Sequence, residues 1–118
     1  MNTDANPYRA IILGAGRGGR VLPLTERLPK CLLDVGGRSL LAWQLRALAE
    51  AGYVAVVPDY RLYPSVKFPT FVDDGAAAVA WAVRNASVIG GDAARVFIAG
   101  HSAGAHTAAM LALDRRYL

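Results

Sequence analysis

The 118-residue sequence predicts a single small α/β domain in which three parallel strands alternate with three helices. Three short apolar runs carry that expectation: Ala10-Ile-Ile-Leu13, Tyr53-Val-Ala-Val-Val57 and Arg95-Val-Phe-Ile-Ala99. None alternates cleanly with polar residues, the pattern of strands buried on both faces of a parallel sheet. Longer helical segments separate them. Right-handed crossovers between parallel strands then stack helices on both faces as an α/β/α sandwich.

Each element has its own start and stop. The first run ends at Gly14, the second at Pro58 and the third at Gly100. A helix over 39–51 has Ser39 as its N-cap and Gly52 placed to end it. A second, alanine-rich helix covers 71–85, with Asp73 and Asp74 in the first turn, where the helix dipole favours them. The third begins at Ser102 and continues through Met110 toward the C-terminus. The order is β-α-β-α-β-α, with no internal repeat and no linker, so residues 1–118 read as one domain. Trp43, Trp81 and Phe97 are expected as core or half-buried packing groups, and Tyr60 and Arg61 as supports for the loop before the second helix.

Composition narrows the function classes. With 54% apolar and 19% charged residues the chain reads as globular, and no apolar run is long enough to cross a bilayer. The first seven residues lack the basic and apolar regions of a signal peptide. Cys31 is the sole cysteine, which leaves no internal disulfide and no evident metal site. A reducing, cytoplasmic compartment fits, as does a recombinant product. The net charge of +4 comes mostly from scattered arginines, with only Lys30 and Lys67 as lysines. That pattern argues against a nucleic-acid or membrane partner and leaves an anion site around Arg17, Arg20 and Lys30 as the alternative to solvated surface.

The first motif is a glycine-rich strand-to-helix loop. Glycines let backbone N–H groups approach an anion without a Cβ in the way. The full pattern is Ile11-Ile-Leu-Gly-Ala-Gly-Arg-Gly-Gly-Arg20, then Pro23-Leu-Thr25, Leu28-Pro-Lys30 and Gly36-Gly-Arg-Ser-Leu40. Over residues 8–51 it resembles the N-terminal segment of the sugar-nucleotide nucleotidyltransferases, or pyrophosphorylases. The resemblance implies a phosphate-binding set of Gly14, Gly16, Arg17, Gly18, Arg20 and Lys30, with a magnesium nucleotide as ligand. Gly19 departs from the Thr or Ser commoner in that family. Neither the later base-recognition segment nor the metal-holding Gly-x-Asp turn follows; an uncomplexed turn that merely joins strand to helix is the plainer reading of the loop.

The second motif is Gly100-His-Ser-Ala-Gly104, preceded by Pro58-Asp-Tyr-Arg-Leu62, Tyr63-Pro64, Phe68-Pro69, Trp81 and Asn85. Over residues 51–118 this resembles the α/β-hydrolase esterases, in particular the hormone-sensitive-lipase-like and kynurenine-formamidase-like group. A Gly-x-Ser-x-Gly run between strand and helix is the pattern of a nucleophile elbow. The resemblance implies Ser102 as nucleophile and the Ala103 N–H as an oxyanion donor. His106, one helical turn on, is a candidate general base, although it matches an ordinary helix position of the family. Asp59, at the strand end, is better suited to a structural role than to that of triad acid. In that family the acid and histidine follow later strands, and an oxyanion segment precedes the Tyr53 strand. A plain turn-and-cap role for Ser102 is the alternative.

The two resemblances meet at Ala49-Glu-Ala-Gly52, so the chain reads as a chimera with a junction near 49–53, engineered or recombined, and with incomplete active sites. Placing the first strand in the centre gives the order 2-1-3 of a Rossmann or flavodoxin-like half. The 14–19 loop then falls beside Ser102 at the carboxyl edge of the sheet. Two open sheet edges predict self-association by edge pairing or element exchange. Weak serine esterase activity without any required cofactor and phosphate or nucleotide binding are the alternatives to a silent module.

Overall fold

The computed structural model describes residues 9–13 and 22–117. Its elements run β1 (Arg9–Leu13), α1 (Leu40–Glu50), β2 (Val54–Val56), α2 (Thr70–Arg84), β3 (Val96–Gly100) and α3 (Ala103–Leu113), with a 3-10 turn over Lys30–Leu32 before α1. The sheet order is β2-β1-β3, the order the sequence predicts. Both pairings are parallel: Arg9 lies opposite Val54 and Val96, and the β1–β3 ladder runs up to Leu13 opposite Gly100.

The ends of α1 show how the sequence sets local structure. Ser39 takes an extended conformation, and its Oγ accepts the Ala42 N–H at 3.1 Å, which satisfies a donor the first turn leaves free. At the other end Gly52 has φ 83°, its N–H donating to Ala49 O at 3.0 Å and the Tyr53 N–H to Leu48 O at 2.8 Å. This paired bonding satisfies the last carbonyls and turns the chain into β2.

The core lies between α2, α3 and one face of the sheet. Val72, Val79, Ala82 and Leu111 are buried, with Val56, Val96 and Ile98 packed against them. Gly75 lets the two helices approach: a Cβ there would sit 3.0 Å from Thr107 Cγ2 and 3.2 Å from Leu111 Cδ1. A larger residue at that position would push α2 off α3.

Several expectations need correction. β3 is not buried on both faces. Its residues alternate, with Val96 and Ile98 turned to the core and Phe97 and Ala99 exposed, because α2 and α3 together cover a single face. Phe97 is 49% exposed and meets Tyr53 edge to face at 6.1 Å. Trp43 and Trp81, at 42% and 46% exposure, are exposed rather than core or half-buried. The Trp43 indole N–H donates to Val35 O at 2.8 Å, and Arg38 stacks on its ring. The strands begin or end one residue away from the predicted limits, and α3 starts at Ala103, with Ser102 just outside it.

Candidate active site

The site begins where β3 passes into α3. Gly100, the last residue of β3, faces the backbone of Gly104, and any Cβ at position 100 would overlap the Gly104 carbonyl group. Only glycine permits that crossing. The Gly104 N–H donates to His101 O at 3.0 Å and the His106 N–H to Ser102 O at 3.1 Å, which closes the first turn of α3.

Ser102 sits at the apex with φ 57° and ψ −117°, the one positive-φ non-glycine residue among those described. Such a conformation costs of order 1–3 kcal/mol and persists only where the surroundings impose it. Its hydroxyl makes no capping hydrogen bond and the residue is exposed. The capping part of the plain turn-and-cap reading does not hold: Ser39 caps its helix from an extended backbone, whereas Ser102 has a positive φ and its hydroxyl makes no capping bond. The adjacent Ala103 N–H, at the start of α3, has no acceptor among the described residues and points the way a helix start favours for negative charge.

His106 is exposed, and its ring lies 6.5 Å from that of Phe71, which in turn meets Phe68 at 6.1 Å. Among the described residues no hydrogen bond joins a histidine side chain to the Ser102 hydroxyl; the bond from the His106 N–H to Ser102 O is a backbone one, so the structure sets Ser102 beside the Ala103 N–H without an imidazole partner. Lys30 is exposed on the 3-10 turn. Gly14, Gly16, Arg17, Gly18 and Arg20 lie outside the described residues. The backbone register nonetheless fixes where their loop departs: Leu13 pairs with Gly100, two residues before Ser102.

Asp59 is exposed and lines a depression of about 600 Å³ with Tyr60, Arg61, Asp74, Ala77 and Ala78. Here the sequence reading missed a clamp. Arg61 grips Asp74 through Nη2–Oδ1 at 2.6 Å and Nε–Oδ2 at 2.9 Å, and its backbone N–H adds a third bond at 3.1 Å. The guanidinium beside it holds the Asp74 carboxyl below the usual carboxylate range. Asp74 therefore ties the loop after β2 to α2; because α2 begins at Thr70, its first turn holds Asp73 alone, and the expected place of Asp74 in that turn is corrected. The signal available in sequence was a charge of each sign on either side of a proline-rich loop, 13 residues apart. Burial pushes the Tyr60 phenol up, and its hydroxyl has no hydrogen-bond partner among the described residues. No helix among the described residues is long and apolar enough to cross a membrane.

Relatives from two enzyme classes match the chain. An N-acetylmuramate alpha-1-phosphate uridylyltransferase of Neisseria meningitidis is 51% identical over 49 residues, covering 42% of this chain and 21% of the relative. Carboxylesterase NlhH of Mycobacterium tuberculosis is 42% identical over 59 residues, covering 50% and 18%. Among solved structures, a hyperthermophilic esterase from the archaeon Pyrobaculum calidifontis superposes with a TM-score of 0.65 at 27% identity, over 96% of this chain and 32% of that one. The chain thus spans about a fifth of the length of these curated relatives. Acyl transfer at a serine elbow uses side-chain and backbone groups and requires no cofactor. The BD-FAE family model matches residues 37–117, more than half the sequence and the whole of the β2-to-α3 framework around Ser102, and the chain belongs to that family.

Proposed function

We propose that this chain is a recombined α/β module whose esterase-type elbow retains a low hydrolytic activity toward activated acyl esters. The observation that carries the reading is the strained Ser102, whose hydroxyl makes no capping hydrogen bond to the helix it precedes. Its Oγ attacks the ester carbonyl carbon and its proton passes to solvent. The tetrahedral oxyanion is met by the Ala103 N–H, the alkoxide leaves as alcohol, and water then releases the acid and frees the serine. A well-built hydrolase that loses triad members keeps about a thousandfold over water. With no histidine side chain hydrogen-bonded to the Ser102 hydroxyl among the described residues, less is expected here. Hydrolysis of p-nitrophenyl acetate above the buffer rate, abolished in Ser102→Ala, supports the assignment; equal rates in both proteins overturn it.

The recombination reading rests on the two classes of relative and on the Ala49-Glu-Ala-Gly52 turn, which suits either parent. In it the chain is one domain with its junction near 49–53. Its three layers place α1 on the face opposite α2 and α3, as right-handed crossovers in a 2-1-3 sheet require. The lone Cys31 fits a reducing, cytoplasmic setting.

The uridylyltransferase likeness favours a second reading, in which the 14–20 loop and Lys30 bind a magnesium nucleotide or phosphate beside the elbow. A nucleoside triphosphate at millimolar concentration should then raise the unfolding temperature, and Arg20→Ala with Lys30→Ala should remove the shift. No shift in the unaltered protein overturns it.

A further inference from the structure

We infer that Phe68, Phe71 and His106 form an apolar wall that receives the acyl chain of the ester and thereby sets which acyl groups the site prefers; the inference rests on the hydrolytic reading of Ser102. The packing of α2 on α3 puts the wall beside the elbow. Gly75 of α2 sits against Thr107 and Leu111 of α3, so Phe71, one turn earlier in α2, comes level with the first turns of α3. There its ring lies 6.5 Å from that of His106. His106 follows Ser102 by one helical turn, with its N–H donating to Ser102 O at 3.1 Å. Helical Cβ atoms tilt toward the N-terminus, which sets the imidazole on the elbow side of α3.

Phe68 extends the row of rings. It meets Phe71 edge to face at 6.1 Å, and its turn is fixed by the Thr70 N–H donating to Lys67 O at 2.9 Å and the Val72 N–H to Pro69 O at 2.7 Å. The row is apolar yet open: Phe71 packs partly on the core, whereas Phe68 and His106 are exposed. Core packing therefore accounts for Phe71 and leaves Phe68 without a role. The covalent intermediate supplies one. Its acyl group is bonded to Oγ and stays through both steps, whereas the alcohol departs in the first. An apolar surface held within a helical turn of Ser102 thus acts on the acyl chain for the whole reaction, covering it from the α2 side.

Hydrolysis of p-nitrophenyl acetate, propionate and butyrate, each rate divided by its buffer rate, reads the wall directly. A methylene buried completely is worth about fourfold and one covered from a single side about twofold, so kcat/KM should rise roughly fourfold from acetyl to butyryl. Phe68→Ala with Phe71→Leu, which keeps an apolar side chain against the core, should bring that ratio close to one. Leu113→Ala, at the far end of α3, should leave the ratio unchanged. A second measurement needs no turnover: in Ser102→Ala, ethyl butyrate should shift the aromatic NMR signals of Phe68, Phe71 and His106 more than ethyl acetate does. Absence of that difference overturns the inference. So does Ser102-dependent hydrolysis whose butyryl-to-acetyl ratio is near one, is indifferent to the two phenylalanine substitutions, or gives way to a preference for the length of the alcohol. Equal rates in the unaltered chain and Ser102→Ala, with the butyrate-dependent shifts present, refute the hydrolytic reading alone and leave an acyl-chain surface in place.

Discussion

Two serines precede helices in this chain, and the backbone separates their roles. Ser39, at φ −69° and ψ 153°, accepts the Ala42 N–H on its hydroxyl oxygen; Ser102, at φ 57° and ψ −117°, makes no such capping bond. Ser39→Ala should therefore lower stability by about 1 kcal/mol in chemical denaturation. Ser102→Gly should do the reverse. Relief of backbone strain outweighs glycine's extra unfolded-state entropy, for a gain of about 1 kcal/mol, whereas Ser102→Ala keeps the strain and gains nothing. A destabilised Ser102→Gly would show that the elbow is not strained. Gly100 is the converse case: a methyl group there overlaps backbone at Gly104, and Gly100→Ala should cost ~3 kcal/mol or more. The Gly-x-Ser-x-Gly run made the elbow legible in sequence. The histidine's engagement was not, because helical spacing puts His106 near Ser102 but cannot say that its ring turns toward Phe71.

At the scale of elements, what was readable followed from local chemistry. Ser39 and Gly52 bracket α1 as their cap and left-handed preferences dictate, and the three apolar runs became the three strands. What was not readable depended on long-range company. A strand such as Val96–Gly100 looks doubly buried when only its hydrophobicity is read, yet Phe97 and Ala99 are exposed while Val96 and Ile98 face the core that α2 and α3 build on one side of the sheet. The Arg61–Asp74 clamp was hidden for the same reason, since 13 residues of loop and helix intervene. Its pH dependence has a definite sign. The folded-state pKa of Asp74 is lowered, so the clamp stabilises fully above the ordinary carboxylate range and is lost as pH falls from about 4 through the folded value. Unfolding curves of the original chain and Asp74→Asn should differ at neutral pH and converge toward pH 2. A gap that persists in acid would show that the charge is not what binds the loop to α2.

The whole molecule is larger and less filled than its length suggests. Its radius of gyration is 15.4 Å, against about 13.5 Å for a compact domain of this size, and among the described residues the buried hydrophobic side chains are Val72, Val79, Ala82, Ala86 and Leu111. Leu24, Tyr63, Val88 and Leu113 are each more than 60% exposed. Self-association, which the sequence predicts, would link folding to concentration by mass action: a tenfold rise in protein concentration should then raise the unfolding temperature by roughly 2–4 °C. An unfolding temperature independent of concentration would show that stability resides in the monomer alone, with the apolar side chains at its surface left to solvent.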